Sequence, residues 1–246
     1  MSHLRTIVRR ELNSYFSTQI AYVFILIFLM LSSAFTFYLG GFYERGQADL
    51  SPFFNFHPWL YLFLVPALSM RLWAEERKSG SIELLLTLPI KLSEAILGKF
   101  LAAWCFTGLA LSLTFPIWLT VNYLGDPDNG AILASYIGSW LMAGGFLAIG
   151  SCMSAVSKSQ VIAFILTGLV CLIFVLAGYP MVLDLFGSWA PQILVDAMAN
   201  LSFLTHFASI SKGVLSFQDL LFFLSFIFVW LWATLIVVEM TQGESA

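Results

Sequence analysis

Long apolar runs alternate along this chain with short charged connections. Residues 20–41, 53–70, 100–124, 131–156, 159–183 and 220–238 contain no Asp, Glu, Lys or Arg. Each run is long enough for a helix to cross about 30 Å of hydrocarbon. The pattern predicts six transmembrane helices. Ahead of them, Leu4, Ile7, Val8, Leu12, Tyr15 and Phe16 recur at helical spacing, with Arg5, Arg9, Arg10 and Asn13 on the other face. That amphipathic stretch reads as a helix lying in the interface, arginines toward anionic lipid, or as a charged lead-in that sets topology; it fills residues 1–19.

The second run is interrupted by Pro52, Pro58 and Pro66, so a bend or a late start is expected. Arg71 at its inner end either snorkels, the ordinary outcome, or pairs with Glu75 one turn on. In the fourth run, Ala134 and Gly138 stand four apart, as do Gly144, Ala148 and Cys152. Small residues at that spacing let helices approach closely in lipid, which predicts a helix buried in the bundle. Residues 184–219 are too polar to span and too apolar to float free. Leu194, Ala197, Met198, Leu201 and Leu204 share a helical face, and Gly213 after Lys212 reads as a helix stop. One or two short helices on the outer rim are expected there, as a cap over an exit path or as a simple connection.

The 246 residues are 60% hydrophobic and 10% charged, with a mean hydropathy of +0.90. Soluble domains carry about 25% charged residues, so the fold class is an all-α polytopic membrane protein, one domain over residues 1–246. With an even number of spans both termini share a side. Nine basic residues fall on that side, against Arg45 and Lys212 on the other. Basic residues accumulate on the cytoplasmic side, so the termini and residues 75–92 are expected in the cytoplasm of a bacterial inner membrane. The first run is too long for a signal peptide's apolar region, and no Ala-x-Ala site follows. Cys105, Cys152 and Cys171 all fall in spans, which argues against a disulfide framework or a metal site. No single-sign patch suggests nucleic acid.

Residues 75–89 are the exception in this apolar chain. Glu75, Glu76, Arg77 and Lys78 are followed by Gly80 for a tight turn and by Ser81 as a candidate N-cap. Glu83 suits the first turn of a helix, Leu84, Leu85 and Leu88 give it an apolar stripe, and Pro89 stops it. Such a short helix either docks on a partner or buries its leucines among lipid headgroups, and the physics leaves both open.

No internal chemistry competes with it. The Gly98-Lys99 pair lacks the rest of a phosphate loop, so ATP use must belong to another chain. Glu75-Glu76 has no histidine pair to make a metalloprotease site, and Ser151 has no histidine in reach to activate it. With His57 and His206 placed near the outer surface, the spans hold no acid or base apart from Arg71 near one end. Ion-driven carriers usually keep one.

The run from Glu76 to Pro89, followed by Gly98-Lys99 at the next span, resembles the cytoplasmic loop of ABC-2-type export permeases. Six spans, an interfacial N-terminal helix and a re-entrant outer segment match the same family in layout. Ser202-Phe203-Leu204-Thr205-His206-Phe207 and Lys212-Gly213-Val214 look like its gliding-motility-associated branch, close to permeases linked with multicopper-enzyme maturation. The resemblance implies a permease subunit, not itself catalytic, paired with a like or unlike second permease and two ABC ATPase subunits. ATP and Mg would sit on those ATPases, with no cofactor on this chain and an extracytoplasmic accessory protein as a further partner. It also implies that 75–89 is the coupling helix: Glu75, Glu76, Arg77 and Lys78 for charge complementarity, the leucines for a surface groove on the ATPase. The same loop would serve a non-transporting anchor that relays ATPase motion across the membrane.

Overall fold

The computed structural model describes residues 2–80 and 91–243, and every regular element among them is helical. α1 (Ser2–Ser17) is the amphipathic helix read from the sequence: Ile7 is buried while Arg5, Arg9 and Arg10 are exposed. It crosses α7 (Leu92–Ser112) at Gly98, where a Cβ would stand 2.5 Å from Ile7 Cγ2. Only a glycine admits so close a crossing.

α2 (Gln19–Ala34) runs through one wider turn at Phe35–Leu39 into α3 (Phe42–Arg45), giving a continuous apolar stretch over Ala21–Arg45. Leu92–Leu124, Asn129–Val156 and Phe217–Thr241 are also long and apolar enough to cross a membrane. The first of these is α7 plus α8 (Phe115–Leu124), with Pro116 in the first turn of α8. The second is α9 (Asn129–Val156), whose N-terminus is capped by Asp128 accepting from the Gly130 and Ala131 amides.

The second run departs from a simple kinked span. It forms α4 (Ser51–Asn55) and α5 (His57–Ser69), and its prolines do different work. Pro52 and Pro58 occupy first turns, where a missing N–H costs nothing; Pro66 alone lies inside a helix. α5 is about 20 Å long, shorter than the hydrocarbon layer, and most of it is buried among the other helices.

The fifth run also differs. α10 (Gln160–Leu176) ends early, and α11 (Pro180–Gly187) leaves it at 69°. The rim segment then forms α12 (Gln192–Asn200) and α13 (Phe203–Ile210), bent by 63° and together apolar enough to count as a broken span or re-entrant loop. The single apolar face expected there is split, because Ser202 stops one helix and caps the next through the Leu204 amide. Leu194 and Leu201 are left exposed, while Phe203, Phe207 and Ile210 are buried. Gly213, at φ +87°, makes the turn that leads to α14 (Phe217–Gly243).

α9 is the centre of the bundle, touching α5, α7, α10, α13 and α14. Ala134, Gly138, Gly144, Ala148 and Cys152 are all buried in it. A Cβ at Gly144 would lie 2.8 Å from Trp104 Nε1 of α7 and 2.9 Å from Ile227 Cδ1 of α14. Trp104 and Trp140 stack at 4.3 Å, and each indole N–H donates to the other's backbone carbonyl, at 2.8 and 3.0 Å. Gly144→Leu should therefore overpack this seam and lower the unfolding midpoint in detergent, at a cost of about 1–3 kcal/mol. An unchanged midpoint would mean that α7 and α14 do not press on α9 there.

Candidate functional site

The charged segment begins where α5 turns into α6 (Ala74–Ser79), and that turn is fixed to α9. Ser154 Oγ donates to the Met70 carbonyl at 2.9 Å and accepts from the Trp73 and Ala74 amides, both at 3.0 Å. The first amides of a helix have no partner inside it; Ser154 supplies one from another helix. The Trp73 ring is fully buried, and its indole N–H donates to Ser151 Oγ at 3.1 Å. Ser151 is thus a hydrogen-bond partner of Trp73.

The four adjacent charges do not share a face. Glu75 is exposed and pairs with Arg71 at 3.1 Å, so Arg71 makes the local ion pair in place of simple snorkelling. Lys78 is exposed. Glu76 turns inward to Lys99 Nζ at 2.7 Å, and Lys99, only 5% exposed, also lies 3.7 Å from Glu11 of α1. The ammonium stands 5.3 Å from the centre of the Trp73 ring, a cation–π distance. Arg77 donates through Nη1 to the Ala155 carbonyl near the end of α9. Gly80, at φ +72°, ends α6 in the left-handed conformation that glycine adopts without strain.

Beside these contacts α1, α6 and α7 enclose a cleft of about 400 Å³ lined by Arg10, Glu11, Tyr15, Arg71, Glu75 and Lys99, among others. Burial, reinforced by the nearby Glu11 carboxylate, pushes the Tyr15 hydroxyl well above its ordinary range. Tyr15 therefore enters the cleft as a neutral hydrogen-bonding group. Ser81, Glu83, Leu84, Leu85, Leu88 and Pro89, the proposed docking surface, lie outside the described residues.

At the opposite end, the connections before α4, before α9 and after α13 meet around a second cleft of about 300 Å³, with Asp49, Asp128 and Lys212 at its walls. Two residues beyond Asn55 of this cleft comes a histidine whose burial the sequence did not show. His57 is fully buried inside the bundle on α5, so a titratable side chain does sit within the second run. It pairs with Ser139 of α9 at 3.0 Å, and the Tyr61 hydroxyl meets the same Ser139 Oγ at 2.7 Å. His206 is also buried, paired with Asp219 at 2.6 Å. Both are hydrogen-bonded histidines, and among the described residues no group of His, Cys, Asp and Glu is placed to hold a metal.

A helical bundle with several helices long and apolar enough to cross a membrane, its charged loop base pinned to the most buried of them, is the architecture of a polytopic all-α membrane protein. A family model described as "ABC-2 family transporter protein" matches residues 60–241, three quarters of the chain, and the chain belongs to that family. It is also 35% identical over 80 residues to heme exporter protein B of Paracoccus denitrificans (strain Pd 1222). That match covers 32% of this chain and 37% of the relative.

Proposed function

We propose that this chain is the membrane-spanning half of an ATP-driven exporter, working beside a second permease subunit in a bacterial inner membrane. Two cytoplasmic ABC ATPases, holding ATP and Mg, would dock on residues 75–92, and both termini would lie on the same side. Family membership supports the permease role; the export direction draws on the printed name of the relative. The observation that carries the coupling role is the way the loop is mounted. Trp73, Glu76 and Arg77 tie its base to α9, α7 and α1 through Ser154, Lys99, Glu11 and Ala155. A push on the loop therefore reaches three helices at once. A loop floating on lipid would need no such mount.

In this reading Leu84, Leu85 and Leu88 fill a groove on the ATPase, and the exposed Glu75 and Lys78 orient it. Charges at a rim set orientation and on-rate more than affinity, so the leucines carry the binding. Leu84→Asp combined with Leu85→Asp should weaken the ATPase by at least about thirtyfold, the loss typical of a hot-spot side chain. The permease should stay folded in membrane. Co-purification of the ATPase with the double variant at wild-type yield would refute the docking role.

A further inference from the structure

His206 lies where three outer elements meet, and neither of its ring nitrogens faces a donor. Nδ1 is 2.6 Å from Asp219 Oδ1 at the head of α14, and Nε2 is 2.9 Å from the Asn200 carbonyl at the end of α12. A carbonyl oxygen accepts and does not donate. Nε2 must therefore carry a proton to make its bond, and Nδ1 must carry one to meet an ionised carboxylate. The arrangement calls for an imidazolium against a carboxylate.

The surroundings fit that state. The side chains of His206 and Asp219 are 6% and 8% exposed, so water does little to screen them. The ring lies flat on Phe222 at 3.9 Å, a contact that favours a cation over the aromatic face. Asp219's second oxygen accepts from Ser216 Oγ at 2.6 Å, and Ser216 Oγ in turn accepts from the Asp219 amide at 3.1 Å. The serine hydroxyl is thus aimed at the carboxylate and not at the imidazole, so the trio is not a nucleophile with its base. Among the elements packed on α13, α9 and α10 carry no charged residue. α12 carries Asp196, exposed and bonded to Gln192, and α14 carries Asp219 and, at its far end, Glu239. Asp219 is the charge that answers His206.

We propose that His206, Asp219 and the Asn200 carbonyl form a proton-operated latch that holds the α12–α13 segment against the head of the last span. With the ring doubly protonated, one side chain ties the end of α12, its own helix and the start of α14. Raising the pH removes a ring proton and with it either the bond to Asn200 or the ion pair. The segment then keeps one of these two contacts, beside its apolar packing and the bond from Ser202 Oγ to the Val175 carbonyl at 3.4 Å. Lowering the pH far enough to protonate Asp219 also dissolves the ion pair, so the latch is shut only between the two titrations.

The purified chain in detergent micelles tests this directly. Ring-¹⁵N-labelled histidine spectra, followed as the pH is lowered, should show both His206 nitrogens protonated before Asp219 takes up its proton; one bare nitrogen throughout would overturn the proposal. Amide hydrogen exchange at residues 192–210, corrected for its intrinsic pH dependence, should quicken about tenfold to a hundredfold as the pH rises through the ring's titration. That factor is the worth of one charge-assisted hydrogen bond. A flat profile would overturn it as well. His206→Gln should exchange quickly at every pH with no step, and a step that survives in that variant would place the switch elsewhere.

Discussion

Replacing Lys99 with methionine should destabilise the folded chain by about 3 kcal/mol, near the low end for breaking a buried ion pair. Methionine keeps the unbranched apolar stem, one atom shorter, and removes the ammonium over Trp73. It leaves Glu76 and Glu11 facing each other's charge without the ammonium between them. Both carboxylates retain some solvent contact, 21% and 17%, which is why the low end applies. Unfolding by denaturing detergent would measure the loss. Adding Glu76→Gln should recover part of it, because the cost comes from the unpaired carboxylate rather than from the missing lysine. A single-variant change under about 0.5 kcal/mol, ordinary for a surface substitution, would show that the cluster is not a structural joint.

The second large effect is expected at Trp73. Its ring is fully buried, so Trp73→Ala opens a cavity and should cost about 3–5 kcal/mol. The same change strands Ser151 and lets the start of α6 move away from Ser154. Trp73→Phe separates these contributions in part: it keeps an aromatic ring in the site, and loses the indole bond, at about 1 kcal/mol, together with a smaller cavity cost than alanine. If the loop base transmits force, Trp73→Phe should retain ATPase binding but lower the stimulation of ATP hydrolysis by the assembled complex. Equal stimulation in wild type and Trp73→Phe would confine the residue to packing.

How far these features were legible beforehand depends on their range along the chain. Periodicity and run length are local properties, and they yielded α1, the apolar spans and the small-residue burial of α9 from the residues alone. The Arg71–Glu75 pair was also within reach, being one helical turn apart. The sequence could not say that Glu76 rather than Glu75 turns inward, because its partner is Lys99, 23 positions away. Ser154 grips Trp73 from 81 positions away, and a serine in an apolar run gives no sign of such a bond. The burial of His57 was missed for a related reason. Its run was read as a span interrupted by prolines, whereas two of those prolines begin helices, and the second helix is buried deeply enough to enclose the imidazole. The docking leucines rest on the sequence and on family resemblance, since residues 81–90 lie outside the described structure.

The paired tryptophans at the α7–α9 seam limit how this bundle can move. A helix slides past its neighbour most readily by whole turns of about 5.4 Å. One such step here would break the stack and both indole–carbonyl bonds together, with no equivalent tryptophan a turn away to receive them. At this seam α7 and α9 are therefore held against a one-turn slide. Relative movement in the bundle is taken up more readily where other helices meet this pair.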